Sequence, residues 1–265
     1  MFPLNAKSIA SCQVLARAVS GIVGFAGLAV VAGWIFDRPL LRSAVRGWAE
    51  MKPNAAVALL LAAGVLWLHG PEESLTSPWR RRSALLAAGG VVLIGALALA
   101  GPIFGPSQGG NAWFIRTAGE TIVPWLGRMP PWMALDFLLL GTALLLFGVK
   151  PTSAAIWTAQ VCLLLAACGA FVAVVGCLYG RAVLGLAPLF AGTTLPAAVA
   201  LLALSAGVAC ARPADGMMAL FNAASAGGSV LRRLLPPVAL LPVAIDWLEL
   251  EGERRGLFPA GFGRV

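Results

Sequence analysis

Met51-Lys52-Pro53-Asn54-Ala55-Ala56-Val57-Ala58-Leu59-Leu60 opens an apolar stretch, and its last six residues return letter for letter as Ala197-Ala198-Val199-Ala200-Leu201-Leu202. Upstream of each copy stands a glycine, any residue, an aliphatic and an aromatic: Gly33-Trp34-Ile35-Phe36 leads to Pro53, and Gly176-Cys177-Leu178-Tyr179 leads to Pro196. A looser instance, Gly101-Pro102-Ile103-Phe104 leading to Pro131, keeps Met51 as Met129 and Ala56 as Ala134. Repetition on this scale predicts three tandem helix pairs, over residues 18–69, 83–149 and 154–211.

Composition identifies the solvent. Hydrophobic residues make up 60% of the chain and charged residues 11%, with a mean hydropathy of +0.88, whereas a soluble domain is about 25% charged. The chain reads as an integral membrane protein. Runs apolar enough to cross about 30 Å of hydrocarbon cover 19–36, 53–69, 83–104, 131–149, 154–179 and 195–211, with a shorter, proline-rich run at 234–247. The runs are continuous rather than alternating, and lipid forces backbone groups to pair within a segment, which selects helices and excludes a β-barrel. The predicted fold is an all-α membrane bundle of about seven transmembrane helices: three tandem helix-pair repeats plus a final proline-rich helix. All 265 residues form a single membrane domain, with 212–233 an amphipathic connection and 234–265 the last helix and tail. No compact cleavage pattern precedes the first span, which is therefore expected to stay in the mature protein.

The formal charge of +8 does not imply nucleic acid as a partner, because the cations sit in loops beside spans and no soluble module carries them. Arg80-Arg81-Arg82 and Arg232-Arg233 read as topology signals near anionic headgroups and place the N-terminus in the cytoplasm. Arg38, Arg42 and Arg46 alternate with Leu40, Leu41, Ala44, Val45 and Trp48 at helical spacing, so residues 39–50 read as an interfacial helix on the outer surface. The loop at 105–128 carries Gln108, Asn111, Trp113, Arg116, Glu120 and Trp125. It reads either as an external binding cap or as an interfacial tryptophan belt.

Ionisable residues within spans are costly and mark function or pairing. Asp136 lies inside the fourth span and Asp246 near the end of the last, beside the polar candidates Asn54, Gln160, Thr142 and Thr158. Asp136 either pairs with an interfacial arginine such as Arg116 or Arg128 or contacts a proton or ligand. Asn54, behind Pro53, is placed to cap free amides. The candidate ligand-binding group is Asn54, Trp113, Arg116 and Asp136, gathered at the outer end of the bundle. His69 is the only histidine, which rules out a bis-histidine haem site within one copy. Cys12, Cys162, Cys168, Cys177 and Cys210 lack metal or redox spacing and read as small core residues. No Gly-rich phosphate loop or HExxH occurs, and no catalytic residue, metal or cofactor is expected.

Gly33-Trp34-Ile35-Phe36-Asp37, Trp48 and Met51-Lys52-Pro53-Asn54, together with Gly227-Gly228-Ser229-Val230-Leu231-Arg232-Arg233-Leu234-Leu235-Pro236, Pro242, Trp247 and Gly256-Leu257-Phe258, carry a resemblance to a family. The chain resembles the N-terminal multi-helix membrane sensor domain of bacterial histidine kinases and diguanylate cyclases, over about residues 20–262. The family reads Met-x-Pro-Asn-Thr-Ala-Leu at the first block and GGxxxRRLLP at the second. Its later copies keep polar residues after the helix start, where this chain has Pro131-Trp132-Met133-Ala134 and Leu195-Pro196-Ala197-Ala198. The chain ends at Val265, where the family continues into a last span and an output domain. Without an eighth span an inside N-terminus leaves the C-terminus outside. The resemblance implies a non-catalytic sensory or input module in the bacterial inner membrane, detecting an external or membrane-borne signal. The other reading is a structural accessory subunit of a larger membrane complex, with lipid or pigment contacts. Expected partners are membrane lipids and either other membrane subunits or a second copy. A small transporter is the weaker third, since Asp136 is its one convincing buried charge.

Overall fold

The computed structural model of the chain describes residues 6–43, 50–69, 77–100, 129–148, 152–179 and 192–255. Among the described residues there are nine helices: α1 (Ala6–Ile35), α2 (Pro39–Arg42), α3 (Pro53–Leu68), α4 (Pro78–Ala100), α5 (Pro131–Gly148), α6 (Ser153–Tyr179), α7 (Leu195–Ala211), α8 (Gly216–Asn222) and α9 (Ala226–Arg254). By length and composition α1, α4, α5 and α6 can each cross a membrane, and α7 with α8 makes a fifth if that pair, bent by 81°, counts as one span. The chain is a multi-pass, all-helical membrane protein. Apolar α3 is shorter, at 16 residues. The described part of the segment expected as an interfacial helix is the single turn α2; residues 44–49 lie outside the described residues.

Proline sets where the inner helices begin. Pro53 occupies the first turn of α3 behind extended Lys52, and Pro196 the first turn of α7 behind extended Thr194. The ring fixes φ near its helical value where no intrahelical N–H bond is needed, and Pro53 also pushes Lys52, directly before it, out of the helical region. The three starts then share one bond: the amides of Ala56, Ala134 and Ala198 donate to the carbonyls of Lys52, Pro130 and Thr194 at 3.1, 3.0 and 3.0 Å. Counted from that bond, the same positions are buried in each helix: Ala56, Leu59, Ala62 and Leu66; Ala134, Phe137, Leu140 and Leu144; Ala198, Leu201, Leu204 and Val208. Steps of three and four residues keep each set on one helical face.

The helices α1, α3, α4, α5, α6 and α7 pack in that cyclic order, with α7 returning to α1, and α3, α5 and α7 also touch one another. Those three are the inner helices; α1, α4 and α6 are outer ones, with apolar residues such as Phe25, Leu86 and Leu164 left exposed. Contact is close because small residues stand where backbones cross. A Cβ on Gly27 would lie 3.2 Å from the Ala56 carbonyl oxygen, and one on Gly95 would lie 2.8 Å from that of Ala134. Gly90 faces Leu61 while Val92 of the same helix faces Gly141, and Gly207 faces Leu66. The inner helices therefore run parallel and level, all starting at one end of the bundle, the proline end. At the other, arginine-rich end α8 folds across, and α9 leaves after packing on α8 and α6.

Candidate functional site

At the proline end, the starts of α3, α5 and α7 bring Asn54, Trp132, Asp136, Thr193 and Thr194 into the interior; among them Asn54, Asp136 and both threonines are buried. Partial positive charge from three helix N-termini collects there. Asn54 Oδ1 accepts the Ala55 N–H at 2.9 Å, so this side chain does satisfy a first-turn amide. Asp136 stands five residues beyond Pro131, about 7.5 Å deeper at 1.5 Å per residue. It is 1% exposed, and no described residue donates a hydrogen bond to either carboxyl oxygen. Gly169 of α6 makes room for it: a Cβ there would lie 2.8 Å from Asp136 Oδ1 and would strike the Trp132 indole. The Thr193 and Thr194 hydroxyls likewise have no hydrogen-bond partner among the described residues.

Of the four residues expected to meet, Trp113 and Arg116 lie outside the described residues. Asn54 and Asp136 come to the same end of neighbouring inner helices at different depths. Thr193 and Thr194 were not among the candidates. Their signal was available, because counting from Ala198 they fall where Met51 and Lys52 stand before the first inner helix. Thr142 and Ser205 bond back to the Leu138 and Leu201 carbonyls of their own helices, at 2.7 and 2.9 Å, which leaves them structural.

The first glycine-aromatic motif builds a corner. A Cβ on Gly33 would lie 2.7 Å from Leu41 Cβ. The Trp34 indole N–H donates to the Met51 carbonyl at 3.0 Å, and the Arg42 guanidinium lies 4.3 Å from the Trp34 ring centroid. Arg42 Nε donates to the Gly33 carbonyl at 3.0 Å, and its Nη2 pairs with Asp37. Arg42 thus folds back onto the end of α1. The carbonyls ending α1 need a donor, and the indole face offers a cation site.

Arginines cap helices at the other end. Arg81 Nε donates to the Gly148 carbonyl at 3.0 Å and Arg212 Nη2 to the Phe147 carbonyl at 2.7 Å, closing the end of α5. Arg232 Nη1 donates to the Phe221 carbonyl and, at 3.3 Å, to that of Ala223 after α8. Clusters read as topology signals therefore also complete helix ends. His69 is buried, with Nδ1 2.9 Å from the Val65 carbonyl oxygen. Only a protonated Nδ1 makes that bond.

Gln160 of α6 reaches across to the start of α8. Its Nε2 donates to the Asp215 carbonyl at 2.9 Å and its Oε1 accepts the Met217 N–H at 2.8 Å. Between them Gly216 has φ +47°, and a Cβ on it would collide with the Gln160 amide. Asn222, ending α8, donates to the Pro213 carbonyl at 3.0 Å and accepts from Ser8 of α1. The Asp246 side chain lies outside what is described.

All five cysteines are free. Among the described residues no three His, Cys, Asp or Glu side chains come together as a metal site. Comparison with protein-family models, curated proteins and solved structures returns no match.

Proposed function

We propose that the chain is a non-catalytic sensory or input module of a bacterial signal-transduction protein in the inner membrane, detecting an external or membrane-borne signal. The observation that carries this reading is Asp136: a carboxyl 1% exposed, with no donor among the described residues, in a bundle otherwise closed by alanine and glycine. Such a group costs stability unless it serves contact with something that changes. A signal there biases two arrangements of the bundle, and α9, packed on α8 and α6, passes the difference on.

The fuller architecture belongs to the same proposal. α1 with α3, α4 with α5 and α6 with α7 are three tandem repeats, and α9 is a seventh span. The shared first-turn bond, the matching buried faces and the glycine contacts at Ala56 and Ala134 support the repeats. Arg80, Arg81, Arg82, Arg212, Arg232 and Arg233 gather at the end where α1 begins, which supports a cytoplasmic N-terminus. Lipid is the partner of the exposed outer faces.

The test uses the full chain in lipid nanodiscs, with spin labels at Val199 of α7 and Leu240 of α9, both exposed. Asp136→Asn is expected to shift the distance distribution. An unchanged distribution overturns the sensory reading. The second reading, a structural accessory subunit, draws on the exposed Leu234, Leu235, Leu240, Leu241 and Leu248 of α9. Stoichiometric co-purification from native membranes without crosslinker supports it; a chain that runs alone removes it.

A further inference from the structure

Gln160, Gly216 and Arg232 belong to no binding group, yet they bracket one short helix. On one side of α8, a single side-chain amide holds the backbone before and after Gly216, through a donor bond to Asp215 and an acceptor bond from Met217. On the other side, Arg232 of α9 holds the carbonyls of Phe221 and Ala223. Gly228 packs so closely under α8 that a Cβ would strike the Ala223 oxygen and lie 3.0 Å from that of Leu220. Whatever moves α8 moves the start of α9.

The segment is built as a unit. Pro213 removes an amide where α7 would continue, the axis breaks by 81°, and Asn222 ties back to the Pro213 carbonyl. Residues 213–222 therefore form a closed loop with its own internal bond, and Ser8 of α1 fastens its far end through Asn222. Beside Leu220 a groove of about 490 Å³, lined by Ser225, Ala226, Gly227, Gly228 and Leu231, leaves space on the α9 side. The near end is held by Gln160 and the far end by Asn222 and Arg232.

We infer that residues 213–222 are a hinged relay whose catch is the Gln160 side chain, so that a shift of α6 relative to α7 releases α8 and resets α9. This deepens the sensory reading and rests on it for the source of the shift. Gln160 is a positioning residue. Gly216 is required because the αL backbone and the space taken by the amide both exclude a side chain.

The experiment is hydrogen exchange of the full chain in nanodiscs, read by mass spectrometry. Gln160→Leu removes two hydrogen bonds and is expected to speed exchange across 213–222 by about tenfold or more, with α7 peptides unchanged. Gln160→Glu keeps the acceptor for Met217, loses the donor to Asp215 and is expected to fall between. Gly216→Ala attacks the catch from the backbone side and repeats the result should Gln160→Leu fold poorly. Unchanged protection of 213–222 in Gln160→Leu and Gly216→Ala overturns the relay. If the catch variants free α8 while Asp136→Asn leaves α9 in place, the relay stands and the sensory reading falls.

Discussion

Gly95 of α4 lies directly over Ala134 of α5, its backbone so near that a Cβ would come within 2.8 Å of the Ala134 carbonyl oxygen and 2.9 Å of the Leu138 nitrogen. Gly27 meets Ala56 and Leu60 of α3 in the same manner with slightly more room, at 3.2 and 3.4 Å. Two helix pairs are thus closed by the same contact. Backbone atoms cannot rotate away, so an added methyl must push the helices apart.

Gly95→Ala is expected to destabilise the bundle by about 1–3 kcal/mol, the usual cost of overpacking, and Gly27→Ala by less. Gly21→Ala, where an added Cβ meets nothing within 4 Å, is expected to be neutral or to stabilise by about 0.5–1 kcal/mol through helix propensity. Reversible unfolding in mixed micelles ranks the three; equal effects at Gly95 and Gly21 would refute the close-contact account.

The corner at the end of α1 predicts a graded loss. Trp34→Phe removes the indole donor to Met51 and keeps a ring beneath Arg42, for an expected cost of about 1 kcal/mol. Arg42→Ala loses the ring contact, the bond to Gly33 and the Asp37 pair together, and is expected to cost about 1–3 kcal/mol. Melting temperatures of the purified protein in one detergent check the order.

Asp136→Asn separates a contact site from a structural pair. The amide keeps the volume that Gly169 accommodates and removes an ionisable carboxyl that no described residue donates to. Stability is expected to hold or to rise by about 1 kcal/mol, since replacing a buried carboxyl that has no partner seldom costs. A loss of about 3 kcal/mol or more would mean a broken ion pair.

Cys168 is exposed on α6 whereas Cys12 and Cys210 are buried. In native membranes Cys168 is expected to resist a charged maleimide, because its neighbours Leu164 and Leu165 are exposed apolar residues and a charged reagent does not partition into hydrocarbon. Labelling followed by peptide mapping decides; rapid modification of Cys168 by the charged reagent would place that face in water.

Much of the architecture was legible as runs of apolar sequence. The boundaries read at 131–149 and 195–211 meet Pro131–Gly148 and Leu195–Ala211 because proline marks a helix start without reference to the rest of the fold. Charged starts were less legible. α1 begins at Ala6 rather than near 19, and α4 at Pro78 rather than 83, since Arg17 and Arg80 to Arg82 interrupt hydropathy without interrupting a helix. The site was legible only in part. Asp136 stands out as a charge in an apolar run, but the glycine that admits it is 33 residues away. The catch on Gly216 joins residues 55 and 57 positions apart. Such pairings depend on the height at which helices cross, which no local pattern encodes.

Because the ring closes between α7 and α1, α1 is made before the other five ring helices and is completed only after them. Val19 of α1 waits for Gly207, which a Cβ would bring to 3.1 Å of it, and so stays half-covered while most of the chain is made. At about 5–20 residues per second that interval is roughly 10–40 s. During it α1 has only α3 as its ring neighbour, and insertion machinery or lipid must occupy the seam that α7 later fills.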